Sequence, residues 1–177
     1  MTMALKLAGG ILTVGASGLL GLKVAESYRA RERELAAWIT ALNALQTEIS
    51  YGHTRLGQAL RRAGGAFGGA FGSAPAQVME CAAQLLDEGG LEGPGECIAV
   101  ALGSLGHGIP GDAVDAIVAL GHRLGASDAA DQARHIGLAI RRLEGARDRA
   151  EDAAARNSRV WSSVGFLVGG MVTIALL

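Results

Sequence analysis

Aromatic residues make up only 4% of this 177-residue chain, proline occurs three times, cysteine twice, and 19% of the residues are charged. Each scarcity excludes something. With so little charge and 50% hydrophobic residues, the chain is not intrinsically disordered, because disordered chains are poor in apolar residues and rich in charge. The 27 glycines follow no three-residue period, which excludes collagen. Cys81 and Cys97 form no CxxC and have no clustered histidine, so neither a disulfide framework nor a zinc site is indicated. A net charge of −1 argues against a nucleic-acid surface. The excess of small and aliphatic over aromatic residues points to helices packed through small side chains, in lipid or in a tight bundle.

Hydrophobicity is concentrated at the two ends. Residues 7–22, LAGGILTVGASGLLGL, carry no charge and lie between Lys6 and Lys23; residues 160–177, VWSSVGFLVGGMVTIALL, are likewise uncharged. Each is close to the length that spans roughly 30 Å of hydrocarbon, and the two lysines can snorkel toward headgroups. A cleaved signal peptide ending at Ala16-Ser17-Gly18 is the alternative for the first segment, but the apolar run continues through Leu19, Leu20 and Leu22. The expectation is two membrane helices, 1–23 and 160–177, flanking a domain over 24–159. In the first, Gly9, Thr13, Ser17 and Gly21 share a helical face; in the second, Gly165, Gly169 and Thr173 do. Such faces let helices approach closely in lipid, although glycine is common throughout this chain.

The arginines orient the chain. Lys23, Arg29, Arg31 and Arg33 follow the first segment, and Arg141, Arg142, Arg147, Arg149, Arg156 and Arg159 precede the second. By the positive-inside rule the middle domain is cytoplasmic. It carries 14 Arg against 17 Asp and Glu, basic next to the apolar segments and acidic farther away, a pattern suited to a membrane surface rather than to nucleic acid.

The middle reads as helix throughout. Tyr28, Arg31, Leu35, Trp38, Leu42, Leu45 and Ile49 alternate in steps of three and four, as do Ile136, Ala139, Leu143, Ala146, Ala150, Ala153 and Asn157. These two seams, one large and one mostly alanine, are expected to run antiparallel and interdigitate as a stalk of about 40–50 Å at 1.5 Å per residue. Between them, Thr54 is positioned to cap a short helix through Leu60, and the glycine-rich stretch from Arg61 to Pro75 reads as a loop. Ser73-Ala74-Pro75 opens a helix with Val78, Met79, Ala82, Leu85 and Leu86 on its face, closed by Gly89-Gly90. Cys97, Ile98, Ala101, Leu102 and Leu105 form the next, ended by Gly106-His107-Gly108. Pro110-Gly111-Asp112 opens another with Val114, Ile117, Val118 and Leu124. Gly52 and Gly125 are expected as stops with positive φ, and Ser127 or Asp128 as the cap of the final helix. The fold class is therefore all-α, a six-helix cytoplasmic bundle whose first and last helices continue into the two membrane spans.

No constellation has the spacing of a catalytic site. His53, His107, His122 and His135 are scattered, and Gly64-Gly65-Ala66-Phe67-Gly68-Gly69 has no following Lys-Ser/Thr, so a phosphate loop is excluded. Cys81 and Cys97 fall on apolar faces as core thiols. No metal or cofactor is expected.

Two stretches carry a resemblance. The first is Glu26-Ser27-Tyr28-Arg29, then Arg33-Glu34-Leu35, then Leu45 through Leu56 and Ala59. The second is Leu124-Gly125-Ala126-Ser127-Asp128, followed by Gln132, His135-Ile136, Leu138 and Leu143-Glu144. Together with the length and the end-placed apolar segments, they resemble the stage III sporulation protein AB family over nearly the whole chain. Arg55 stands where that family often has proline, and the glycine-rich stretch from Ala63 to Gly72 replaces a more ordinary helix. The resemblance implies a membrane component of the channel complex between mother cell and forespore, with a cytosolic part similar to the F-type platform domain of type II secretion and type IV pilus systems. It also implies a partner, the secretion-type ATPase stage III sporulation protein AA, and further membrane proteins of the complex.

Three functions follow from these readings: a non-enzymatic platform in the bacterial membrane that docks the ATPase, a small membrane enzyme, or a pore-forming, holin-like protein. The apolar segments offer an enzyme only Ser, Thr and Trp161, and a bundle of this size exceeds what a pore former needs. For the platform, Glu48, His53, Asp128 and Gln132 are the expected partner-binding residues, and Gly9, Ser17, Gly21, Gly165 and Gly169 the membrane-packing ones.

Overall fold

The computed structural model describes the backbone of residues 2–52, 54–65, 73–89, 91 and 93–176, and the side chains from 26 to 155 within those ranges, Tyr28 excepted. Six helices account for the structure, with no strand among the described residues: α1 (Thr2–Tyr51), α2 (Leu56–Gly65), α3 (Ala74–Glu88), α4 (Pro94–Leu105), α5 (Gly111–Gly121) and α6 (Ala129–Leu176). The chain divides into two compact units, one of residues 1–30 and 149–177, the other of residues 31–148.

In the first unit the backbone of α1 and α6 is helical. The side chains of the two apolar segments, including Gly9, Ser17, Gly21, Gly165 and Gly169, lie outside the described residues. Among the described residues no helix is long and apolar enough to cross a membrane.

The second unit holds the core. Along α1, Leu35, Trp38, Leu42 and Leu45 are at most 2% exposed, and along α6, Ile136, Ala139, Leu143, Ala146 and Ala150 are buried. The three-four alternation thus marks inward positions from Leu35 to Leu45 and from Ile136 to Ala150. Beyond them Arg31 is exposed, Ile49 and Ala153 are half-buried, and the side chains of Tyr28 and Asn157 lie outside the described residues. The two helices run antiparallel: Arg147 on α6 pairs with Glu32 on α1 at 3.6 Å, and Gln46 Nε2 donates to the Ala133 carbonyl at 2.9 Å, equal steps taken in opposite directions along the two chains. The seam is broader than a two-helix zipper, however. Trp38, Leu42 and Leu45 line a cavity of about 10 Å³ together with Leu60, Val78, Met79, Ile98, Ile117, Leu120 and Leu124 of the shorter helices and their turns. The large side chains of α1 therefore fill space among α2–α5, and α6 is not their only counterpart. The cavity has an apolar lining and room for a single water at most, so it stays dry.

Several local expectations are corrected. α2 does not stop at Leu60: it continues to Gly65, with Ala63 and Gly64 buried, because these small residues let α2 approach α3, where a Cβ on Gly64 would meet the Ala76 carbonyl oxygen at 3.3 Å. The hydroxyl of Thr54 is buried and makes no hydrogen bond, so it does not cap α2. On α4, Leu105 is 43% exposed. On α5 the inward face is Ala113, Ala116, Ile117, Leu120 and Gly121, with Val114 and Val118 only half-buried. The cause is close helix crossing. A Cβ on Gly121 would stand 2.9 Å from the Gly95 Cα, and one on Gly95 would run into the His122 ring. Small residues are required at that contact, and the bulkier valines turn aside.

α5 ends at Gly121 with His122 as its C-cap, so Leu124, expected on its face, and Gly125, expected to close it, lie in the turn beyond. Proline sits in the first turn of α3 and of α4, and Gly89 closes α3 at φ +68° in the left-handed region where glycine has no steric cost.

Candidate functional site

The turn from α1 into α2 and the turn from α5 into α6 come together at one end of the 31–148 unit. Leu56, which opens α2, lies within van der Waals reach of a Cβ built on Gly125. Gln46, near the end of α1, reaches Ala133 at the start of α6.

The first turn is closed by the Gly52 N–H, which donates to the Glu48 carbonyl at 2.8 Å. Gly52 has no positive φ, contrary to the expectation; among the described residues the positive-φ glycines are Gly89, Gly106 and Gly125. Its requirement for glycine is steric, since a Cβ would collide with that same Glu48 carbonyl oxygen. Glu48 is half-buried and pairs with Arg62 of α2 at 3.3 Å, and the neighbouring Arg61 reaches across to α3, 2.6 Å from Asp87 and 3.4 Å from Glu80. The hydrogen bond to Asp87 raises the Arg61 pKa above its ordinary value. These contacts stitch α2 to α1 on one side and to α3 on the other.

The second turn is a self-contained device. Gly125 takes φ +76°, and its N–H donates to Gln132 Oε1 at 3.1 Å. The other end of the same amide donates from Nε2 to the Ser127 carbonyl at 2.7 Å. Asp128 Oδ1 accepts from the Asp131 N–H at 2.8 Å, so Asp128, and not Ser127, caps α6. Leu124 is 2% exposed and anchors the turn in the core. Leu-Gly-x-Ser-Asp with Gln four residues later is thus a recipe for one turn: an apolar anchor, a left-handed residue, a cap, and an amide that bridges both sides.

Of the expected partner-binding residues, Glu48, Asp128 and Gln132 are brought to this end, while His53 lies outside the described residues. All three already have partners within the chain, two of them in building the turn. Beside them, Tyr51 is 82% exposed and Arg55 is exposed. Tyr51 is the most exposed large hydrophobic side chain among the described residues and is not singled out by periodicity, because it falls just outside the inward face of α1.

A second clamp lies at the α4–α5 turn. The Gly108 N–H donates to both carboxylate oxygens of Glu34, at 3.0 and 2.9 Å, and Arg31 Nε donates to the Gly108 carbonyl at 3.2 Å. Both backbone polar groups of Gly108 are held by α1, and Ile109 next to it is buried. Glu34 is among the residues that carried the family resemblance, and here it has a physical task.

Among the described residues no group of three or more His, Cys, Asp or Glu could hold a metal. Cys97 is 1% exposed, and burial pushes its thiol pKa up, which keeps it protonated and a poor nucleophile. What this end of the molecule offers is a surface of stiff, internally braced turns.

Known proteins match this pattern across nearly the whole chain. Stage III sporulation protein AB of Bacillus subtilis (strain 168) is 27% identical over 176 residues, covering 98% of this chain and 99% of that one. A solved structure of stage III sporulation protein AB is 25% identical, superposes with a TM-score of 0.59, and covers 71% of this chain and 97% of its own. Residues 6–177 match the sequence pattern of stage III sporulation protein AB, and the chain belongs to that family.

Proposed function

We propose that the chain is a non-enzymatic membrane platform of the secretion-like channel complex formed between mother cell and forespore. In this reading the segments 7–22 and 160–177 hold it in the mother-cell membrane around the forespore, and the 31–148 bundle stands on the cytoplasmic side. There it docks a secretion-type ATPase, stage III sporulation protein AA, among other membrane proteins of the complex. One observation carries the reading: two uncharged segments of membrane-spanning length, each followed or preceded on its inner side by arginines, in a chain of a sporulation family. The braced surface at the α1–α2 and α5–α6 turns supports a docking role, since a rigid surface loses little conformational entropy on binding.

Docking is assigned to this end, around Glu48, His53, Asp128 and Gln132. Because Asp128 and Gln132 also build their turn, the cleaner probes are Tyr51 and Arg55. The test is a binding titration of the full chain, in mild detergent, against the ATPase. Tyr51→Ala with Arg55→Glu is expected to abolish binding, and Arg29→Glu with Arg156→Glu to leave it intact. The reverse result would show that the partner approaches through the arginine-rich region. A reporter enzyme fused near Gly106 should be active inside the cell and one fused at Leu177 active outside; the opposite pattern removes both orientation and docking.

A further inference from the structure

Charge is divided unevenly over the bundle. Between Arg62 and Arg123 the chain has no Lys or Arg, yet it holds seven carboxylates. Glu96 and Asp112 stand exposed in the first turns of α4 and α5, where the helix dipole favours acid, and Asp115 follows on the exposed side of α5. On the same face of α4 as Glu96 come Ala99, Val100 and Gly103, all exposed, and Gly103 has open space where a Cβ would stand. α4 and α5 pack together, so the exposed carboxylates Glu96, Asp112 and Asp115 and the exposed apolar positions of α4 are carried by one helix pair.

α6 has the opposite character. Arg134, Leu138, Arg141 and Gly145 follow one another along one helical face, with Arg142 on one flank and Glu144 on the other. Arg134, Arg141 and Arg142 are exposed, and no described residue pairs with any of them. Leu138 stands 44% exposed in their midst. Elsewhere in this unit the cations of Arg31, Arg61, Arg62 and Arg147 are engaged by groups of the same chain. Arg55 and Arg123 are exposed as well, but three exposed arginines around an exposed apolar side chain are found on this face of α6.

We propose that the α6 face of one copy docks on the α4–α5 face of a second copy. Leu138 seats against Val100 and the open surface at Gly103, and Arg134, Arg141 and Arg142 meet Glu96, Asp112 and Asp115. The two surfaces are different, so the contact is head-to-tail: each copy uses one face as donor and keeps the other as acceptor. Such a contact continues around a closed ring or along a filament instead of ending at a pair. Charge complementarity selects a second copy over a lipid surface. An anionic bilayer matches the arginines of α6 but leaves the acidic face, with its exposed Val100, without a counterpart. Exposed ion pairs contribute little one at a time, so the contact depends on burial of Leu138 together with several charges.

The experiment is sedimentation velocity on the full chain in non-ionic detergent. An assembly larger than a pair is expected at about 0.05 M salt and its dissociation at about 0.5 M, as screening shortens the reach of charge. The Arg141→Glu/Arg142→Glu variant makes both faces acidic, and Glu96→Arg/Asp115→Arg/Ala119→Arg makes both basic. Each, with helicity unchanged by circular dichroism, is expected to sediment as a monomer. Mixed together they are expected to co-assemble, because every contact then again joins unlike charges. A wild type that is monomeric at low salt overturns the proposal, and so does a mixture that stays monomeric. Loss of binding to anionic vesicles in the glutamate variant, with no self-association in any sample, assigns the α6 face to lipid and overturns it as well.

Discussion

Along α1 and α6 the buried residues recur for many turns, and inside the 31–148 unit polar links from Gln46 to Ala133 and from Glu32 to Arg147 join them as well. The four short helices between them depend on something else: a glycine contact at Gly95 and Gly121, a glycine held by both its N–H and its C=O at Gly108, and arginine bridges from α2. A long helix can be positioned by repeated burial, each turn adding its share. A helix of eleven or twelve residues offers too few turns for that and is placed by its ends and by one close crossing.

The comparison breaks most readily at Trp38, where the long and short helices share a core. Trp38→Ala is expected to cost about 3–5 kcal/mol in denaturant unfolding of the full chain, through lost burial and the cavity left behind. Trp38→Phe should cost far less, because the indole N–H makes no hydrogen bond and its removal leaves no partner unsatisfied. Equal losses in the two variants would show that this N–H is bonded in solution.

Next in size is the glycine crossing. Gly121→Val drives a side chain into the Gly95 backbone and the end of Ile98, and is expected to destabilise by about 1–3 kcal/mol. A similar change at Gly103, which faces open space, should have little effect on the same unfolding midpoint. If the two behave alike, close crossing is not what places α4 and α5.

A smaller effect is expected at the α6 cap. Asp128→Ala should cost about 1 kcal/mol, while Asp128→Asn, which can also accept from the Asp131 N–H, should cost a fraction of that. Equal stability of all three proteins would mean that the turn is held by Gln132 alone.

The smallest concerns reactivity. Cys81 is half-buried and Cys97 buried, so iodoacetamide at pH 8 should modify Cys81 first and Cys97 only on unfolding. The sign of the pH dependence follows from the raised pKa of Cys97: its neutral thiol adds stability below the unfolded-state pKa, and that share is lost as pH rises through the folded value. Melting temperature measured through alkaline pH should therefore fall less for Cys97→Ala than for the parent chain.

What could be read in the sequence divides along the same line. The Leu35–Trp38–Leu42–Leu45 and Ile136–Ala139–Leu143–Ala146 positions were legible because several heptads repeat one message. On α5, Val, Ala, Ile and Leu occur all around the helix, so apolar character alone does not select a face; the Gly95 crossing does, and it joins residues far apart in the chain. The positive φ of Gly125 and the cap at Asp128 were readable, since both act within a few residues. The role of Gln132 was not, because an amide on a helix surface looks the same whether it faces a partner or braces its own turn. The Glu34–Gly108 clamp joins residues 74 positions apart, and no local pattern marks it.

The buried indole has a practical consequence. The chain's two tryptophans fall one in each structural unit, Trp38 in the bundle and Trp161 in the C-terminal apolar segment. Replacing Trp161 with phenylalanine leaves a single fluorophore enclosed by aliphatic side chains with no hydrogen bond to its ring nitrogen, so its emission should be displaced to the blue. That lone emission band then reports on the bundle interior alone, and a red shift during partner binding or assembly would register the opening of the core in real time, without any attached dye.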